Sequence, residues 1–182
     1  HALAARESES CDYIADFAGK LPMDVVSEML DVPAADRDDL RSWSDDVMHR
    51  EDGFVGIPAA AIQASAKLLQ YFAAFVADRR KGDDNGLIEA LLAAEVDGEH
   101  LTDANVVSFL FLMIIAGNET TTKLLANAIY WAAVHPGIRE QVEADPSLIP
   151  GWVEETLRYD NSSQILGRVT TRDVEISGTT IP

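Results

Sequence analysis

At 182 residues and 47% hydrophobic, the chain has the length and the apolar content for one domain with a real core, and residues 1–182 are expected to form a single domain. Its formal charge of −17, from 31 acidic against 14 basic side chains, forms no basic stripe; nucleic acid is excluded as a partner, and the acidity reads as a solvated face. A single cysteine, Cys11, excludes an internal disulfide framework and fits a reducing, cytoplasmic compartment.

Residues 12–18 alternate apolar and polar side chains as a short strand would. Leu21-Pro22 then opens a helix over residues 23–30, closed by Asp31-Val32-Pro33. Residues 34–48 read as a second helix with Leu40, Trp43 and Val47 on one side, broken by Glu51-Asp52-Gly53. Residues 57–80 form a long amphipathic helix whose expected apolar face is Ile62, Ala66, Leu69, Tyr71, Phe72, Phe75 and Val76. Arg79-Arg80-Lys81 complements its C-terminal dipole before a glycine- and aspartate-rich loop over residues 82–86. A shorter helix covers residues 87–95. Thr102 caps a long central helix, with Asp103 in its first turn, and His135-Pro136 ends it. Two further helices, 138–144 and 150–159, precede short strands at 164–169, 174–176 and 180–181, the last two around Ser177-Gly178. The expected fold is mainly α with a small β component.

The central helix carries the chemistry. From Val106 to Ala116 every position but Ser108 is apolar, which predicts a helix buried all round, and the run is too short to span a bilayer, which takes about 20 residues. No membrane partner is expected. Gly117, Asn118, Glu119 and Thr120 then interrupt the run, and such groups are costly in a core unless each finds a partner. Thr120 stands four residues after Ala116, so its hydroxyl can bond that carbonyl and loosen the helix; Gly117 leaves room for a ligand to approach, and Glu119 stands about 100° round as a proton source. The competing interpretation is a junction, with Gly117 ending one helix and Asn118 capping the next. Further on, Glu155 and Arg158 are three apart and can meet on one helix face.

The ordered set A-G-x-E-T-T at 116–121, His135-Pro136, E-x-x-R at 155–158, Arg168, and D-V-E-I-x-G-x-x-I-P at 173–182 resembles the cytochrome P450 family of haem-thiolate monooxygenases, and most closely its soluble bacterial members. Residues 15–33 look like the segment that precedes that family's paired lid helices. The resemblance implies the central part of the P450 fold, with a long buried helix, and haem b as cofactor. By motif position, Ala116, Gly117 and Thr120 would line the distal haem wall, Glu119 and Thr120 would pass protons toward dioxygen, Arg168 would clamp a haem propionate, and Glu155 with Arg158 would be a structural ion pair. Leu112, Ala116, Ile165 and Leu166 would line the substrate pocket. The substrate implied is a small, mostly apolar molecule hydroxylated with electrons from a ferredoxin-type partner.

Where the family often has prolines after Tyr159-Asp160, Asn161-Ser162-Ser163 stand here. The family's iron ligand is a cysteine in a loop well past E-x-x-R, and Cys11 has neither that loop nor that position, so no metal ligand is assigned in these residues. His1, His49, His100 and His135 lack ligand spacing. The chain opens at His1 and stops within a strand-and-turn pattern, so it is read as an internal fragment. From the residues alone, a non-catalytic acidic helical interaction module stays open as the alternative function.

Overall fold

A computed structural model describes residues 10–80 and 86–182. His1, Lys81 and the loop expected over residues 82–85 lie outside them. After a π-helical turn at Ile14–Ala18 come α1 (Leu21–Met29), a 3-10 turn (Ala34–Asp36), α2 (Arg37–Met48), α3 (Ala59–Arg79) and α4 (Leu87–Ala93). A hairpin of β1 (Glu95–Val96) and β2 (Glu99–His100) leads into the central α5 (Asp103–Val134). Then follow α6 (Pro136–Ala144), a second 3-10 turn (Pro146–Leu148), α7 (Ile149–Tyr159), and an antiparallel hairpin of β3 (Val174–Ile176) and β4 (Thr179–Ile181). The fold is mainly α with a small β component.

Helix α5 is continuous over 32 residues, about 48 Å at 1.5 Å per residue, so no junction exists at Gly117-Asn118. An internal glycine costs a helix only about 1 kcal/mol, less than the packing on either side of it restores. The helix begins where the sequence places it. Thr102 Oγ1 accepts from the Asn105 backbone N–H at 3.2 Å while Asn105 Oδ1 accepts from the Thr102 N–H at 3.1 Å, a reciprocal cap.

The core sits around the first half of α5, where Val106, Leu110 and Ile114 meet Met23 of α1, Leu40 of α2, Leu68, Phe72 and Val76 of α3, and Ile88 of α4. The buried face of α3 is Ala61, Ala64, Leu68, Phe72 and Val76, at spacings of three and four. This corrects the expected face, since Ile62 and Leu69 stand out in solvent at 59% and 42% exposure. Tyr71 and Phe75 do lie against the core, their rings stacked 5.7 Å apart.

Three other local expectations change. Residues 12–18 are not a strand: Asp12 Oδ1 accepts from the backbone N–H of Ile14 and Ala15, a side-chain cap that turns the chain into the π-helical turn. Residues 164–169 have no regular structure, and Ile165 is 88% exposed. The β1–β2 hairpin replaces the end of the helix expected over 87–95. Its turn is Asp97-Gly98, both at positive φ, 55° and 84°, the backbone that this dipeptide favours in a two-residue hairpin.

By length and composition alone α5 could cross a membrane, with 22% of its most apolar window buried, an outcome that weighing only the run 106–116 did not anticipate. However, α1, α2, α3, α4, α6, α7 and the π-helical turn all pack on it, and Glu119 and Lys123 interrupt its surface, as suits the core helix of a domain.

Candidate functional site on the central helix

Around Gly117 the helix α5 presents three faces with different chemistry. The first is bare. Phe109, Leu112, Ala116 and Thr120, three or four residues apart, form an exposed stripe, with Phe109 at 42% and Leu112 at 59%. The expectation of burial all round is therefore corrected: Val106, Leu110, Ile114 and Asn118 form the buried stripe, and apolar side chains on the far side of the helix have nothing over them among the described residues. Thr120 Oγ1 donates to the Ala116 carbonyl oxygen at 2.8 Å, the bond its spacing predicts.

The second face belongs to a neighbouring helix. A Cβ added to Gly117 would stand 2.9 Å from Val26 Cγ2 of α1, so the absent side chain lets α1 pack closely. The space beside Gly117 in that direction is thus filled by packing.

The third face is polar. Asn118, Glu119, Thr122 and Lys123 line a cleft of about 520 Å³ closed on the other side by Arg41 and Asp45 of α2 and by the π-helical turn. Glu119 Oε1 is 2.7 Å from Lys123 Nζ, a pair one turn apart, and Thr122 Oγ1 donates to the Ala18 carbonyl at 3.1 Å, fastening the turn to α5. Desolvation, then the Glu119 charge, pushes the Asp45 carboxyl above its ordinary value, while Arg41 pulls it down. Asn118 is 2% exposed and its Oδ1 has no hydrogen-bond partner. The sequence reading missed this cleft. The Glu119–Lys123 spacing could have been read from the chain, but Arg41 and Asp45 come from another helix.

On α7, Arg158 Nε and Nη2 donate to Glu155 Oε2 and Oε1 at 2.8 and 2.7 Å, a bidentate pair pulled toward full charge separation at both ends. Both side chains are exposed, Arg158 at 69% and Glu155 at 59%. The chain leaving α7 is anchored to α5 by Asp160: Asn127 Nδ2 donates to its carbonyl oxygen at 2.8 Å and Trp131 Nε1 to its Oδ2 at 2.9 Å. The extended segment that starts there carries Ile165, Leu166 and Arg168 outward. Ile165 and Leu166 are 88% and 74% exposed, and among the described residues Arg168 Nη1 donates to the adjacent Gly167 carbonyl, at 2.9 Å. Leu112, Ala116 and Thr120 are thus brought together on one face, and Ile165, Leu166 and Arg168 are not folded onto it. Among the described residues no three His, Cys, Asp or Glu side chains are grouped to hold a metal, and Cys11 is exposed.

A model of the cytochrome P450 family matches residues 59–182. The chain belongs to the cytochrome P450 family. Cytochrome P450 123 of Mycobacterium tuberculosis is 56% identical over 182 residues, covering 100% of this chain and 45% of that protein. Among solved P450 structures, CYP109Q5 from Chondromyces apiculatus superposes with a TM-score of 0.86 at 38% identity, over 100% of this chain and 45% of the other. CYP109E1 from Bacillus megaterium, solved in complex with corticosterone, gives 0.86 at 30% identity, over 98% of this chain and 49% of the other. The chain spans just under half the length of these P450 relatives. The family implies a haem, a flat apolar macrocycle edged by two carboxylates. A bare apolar stripe containing the small Ala116, together with an exposed guanidinium at Arg168, has the chemistry such a group would need.

Proposed function

We propose that residues 1–182 are part of one catalytic domain and that α5 forms the distal wall of a cytoplasmic haem-thiolate monooxygenase. It would hydroxylate a small, mostly apolar molecule with electrons from a ferredoxin-type partner. The observation that carries this is the bare stripe of α5, which stays apolar through Phe109, Leu112 and Ala116 and ends in a hydroxyl at Thr120, one residue after an acid. When bound, the haem would supply the reduction of dioxygen and the transfer of one oxygen atom to substrate. Ala116 would lie against the haem, and the exposed guanidinium of Arg168 would hold a propionate. Thr120, whose hydroxyl proton is donated to the Ala116 carbonyl, would present its oxygen to hold a proton-carrying water at that face. Glu119, which lines the polar cleft, would return protons to the Thr120 site without opening the apolar face to bulk water. Leu112 would exclude water from the substrate side, and Ile165 and Leu166, exposed on the segment after α7, would join it. The corticosterone complex of the Bacillus megaterium relative supports an apolar substrate. Glu155 and Arg158 are structural.

Two measurements on the complete protein test the proposal. Its reduced carbon-monoxide complex is expected to show a thiolate-type Soret band, and a colourless protein would favour the acidic helical module instead. Thr120→Ala is expected to keep haem content and substrate affinity while lowering product formed per electron pair at least about tenfold, a positioned proton donor commonly contributing about 10²–10⁴. An unchanged ratio would refute the relay.

A further inference from the structure

We propose that Asp45 is the residue through which protons enter the Glu119 site and that Lys123 positions the Glu119 carboxylate to receive them, an inference that rests on the oxygen-activating role proposed for Glu119. Four charged side chains from two helices converge on one cleft, Arg41 and Asp45 from α2 and Glu119 and Lys123 from α5. At about 520 Å³ the cleft has room for several waters, each of which occupies about 30 Å³ in the liquid. The Glu119 side chain is 24% exposed and that of Lys123 53%, so the pair runs from inside the cleft toward its mouth. With Nζ at 2.7 Å, the ammonium keeps the carboxylate turned into the cleft, about 100° round the helix from the Thr120 face.

Asp45 faces this pair from α2. Partial burial and the neighbouring negative charge hold its carboxyl up, so it takes a proton from water more readily than a surface aspartate does. The charged groups around it are countable. Helix α2 contributes Arg41, itself paired to Asp38, and Asp46, which raises the Asp45 carboxyl further; α5 contributes Glu119 and Lys123. The π-helical turn and Gly19 add only apolar side chains and backbone to the lining. Asn118 leaves a buried, unpartnered acceptor beside Glu119, which a water in the cleft would satisfy. The transfer balances simply: one proton enters at Asp45 from bulk water, crosses on water to Glu119, and one leaves Glu119 toward Thr120, with no electron moved. A purely structural ion cluster joining α2 to α5 would affect stability and leave the pH dependence of turnover alone.

The test uses the complete haem-loaded protein and two readouts. Product per electron pair is followed across neutral pH in wild type, Asp45→Asn, Lys123→Met and Lys123→Arg. Asp45→Asn is expected to lower the ratio about tenfold, with a larger solvent deuterium effect and a steeper loss toward high pH, while haem content and substrate affinity stay put. Lys123→Met should move it in the same direction, and Lys123→Arg should restore it. Independently of turnover, the carbon-13 carboxyl resonance of Asp45 is titrated with and without Glu119→Gln, and its midpoint should fall when the neighbouring charge is removed. Asp45→Asn with the wild-type ratio at every pH, or an Asp45 midpoint indifferent to Glu119→Gln, overturns the proposal. Absence of product in wild type as well would overturn the oxygen-activating role and this inference with it, and the Asp45 titration separates that failure from a loss of carboxyl coupling.

Discussion

Gly117→Ala sets two opposed effects against each other at one point of α5. Alanine in a helix interior is favoured over glycine by about 0.8–1.0 kcal/mol. Against that, the new Cβ would lie 2.9 Å from Val26 Cγ2, well inside the roughly 3.5–4.0 Å at which carbon atoms pack comfortably. Val26 cannot swing away cheaply, because a β-branched side chain in a helix has about one χ1 rotamer available. Nor can α1 slide, since Met23 and Ser27 on the same helix are fully buried. Overpacking of this kind typically costs about 1–3 kcal/mol, which leaves a net loss of about 0–2 and centrally near 1 kcal/mol, roughly a fivefold drop in the folded-to-unfolded ratio. Urea unfolding followed by helical circular dichroism gives the number. A double-mutant cycle with Val26→Ala isolates its cause: in the Val26→Ala background the alanine at 117 should become neutral or stabilising, a coupling of about 1–2 kcal/mol. Gly117→Ala as stable as wild type with Val26 present, or strictly additive mutants, would refute the claim that Gly117 exists to admit α1.

Thr102→Ala removes one side of the reciprocal cap on α5 and should cost about 1 kcal/mol, read as a lower urea midpoint with an unchanged slope. Trp131→Phe keeps the ring contact with Tyr159, whose centroid is 4.9 Å away, but loses the hydrogen bond to Asp160 Oδ2; about 1–2 kcal/mol should go, and amide exchange in residues 160–163 should speed up. Glu155→Ala should shift the unfolding midpoint of residues 1–182 only slightly, because both partners are exposed, in contrast to the large loss that a buried pair would give. Because Arg158 holds the Glu155 carboxyl below its ordinary value, any contribution from the pair is present above the usual carboxylate range and disappears as pH falls through the lowered value; added salt should erase it.

What the sequence made legible was mostly local. The Thr102 cap, the Thr120 bond to Ala116 and the Glu155–Arg158 pair are all set by spacings of three or four on a single helix, and each is present. The errors arose where two elements decide the outcome. The face of α3 was misplaced by one position because Ile62 and Leu69 are as apolar as Ala61 and Leu68, and only the position of α5 determines which set is covered. The packing of α1 at Gly117 was not legible because nothing near it in the chain announces Val26, ninety-one residues earlier. The same holds for Asp45 and Glu119. By contrast, the Asp97-Gly98 hairpin was a local signal that the helical pattern ahead of it obscured.

The bare face of α5 has an energetic meaning beyond its shape. Full burial of a Phe or Leu side chain is worth about 1.5–3 kcal/mol, so leaving Phe109 and Leu112 about half exposed forgoes roughly 1.5–3 kcal/mol in total. A helix whose only task was to hold α1 through α4 together would have no use for those residues there, since Val106, Leu110 and Ile114 already fill that side. A stripe meant for another helix would also tend to continue apolar through position 120, where a hydroxyl stands instead. An apolar surface that narrows to Ala116 and finishes in a fixed O–H group is better matched to a flat partner needing one polar atom at its edge. On the proposed function the excess hydrophobicity that first suggested burial all round would be the imprint of a ligand-facing wall, and the polar residues interrupting it are divided between two faces, Thr120 on the exposed stripe and Glu119 on the polar cleft.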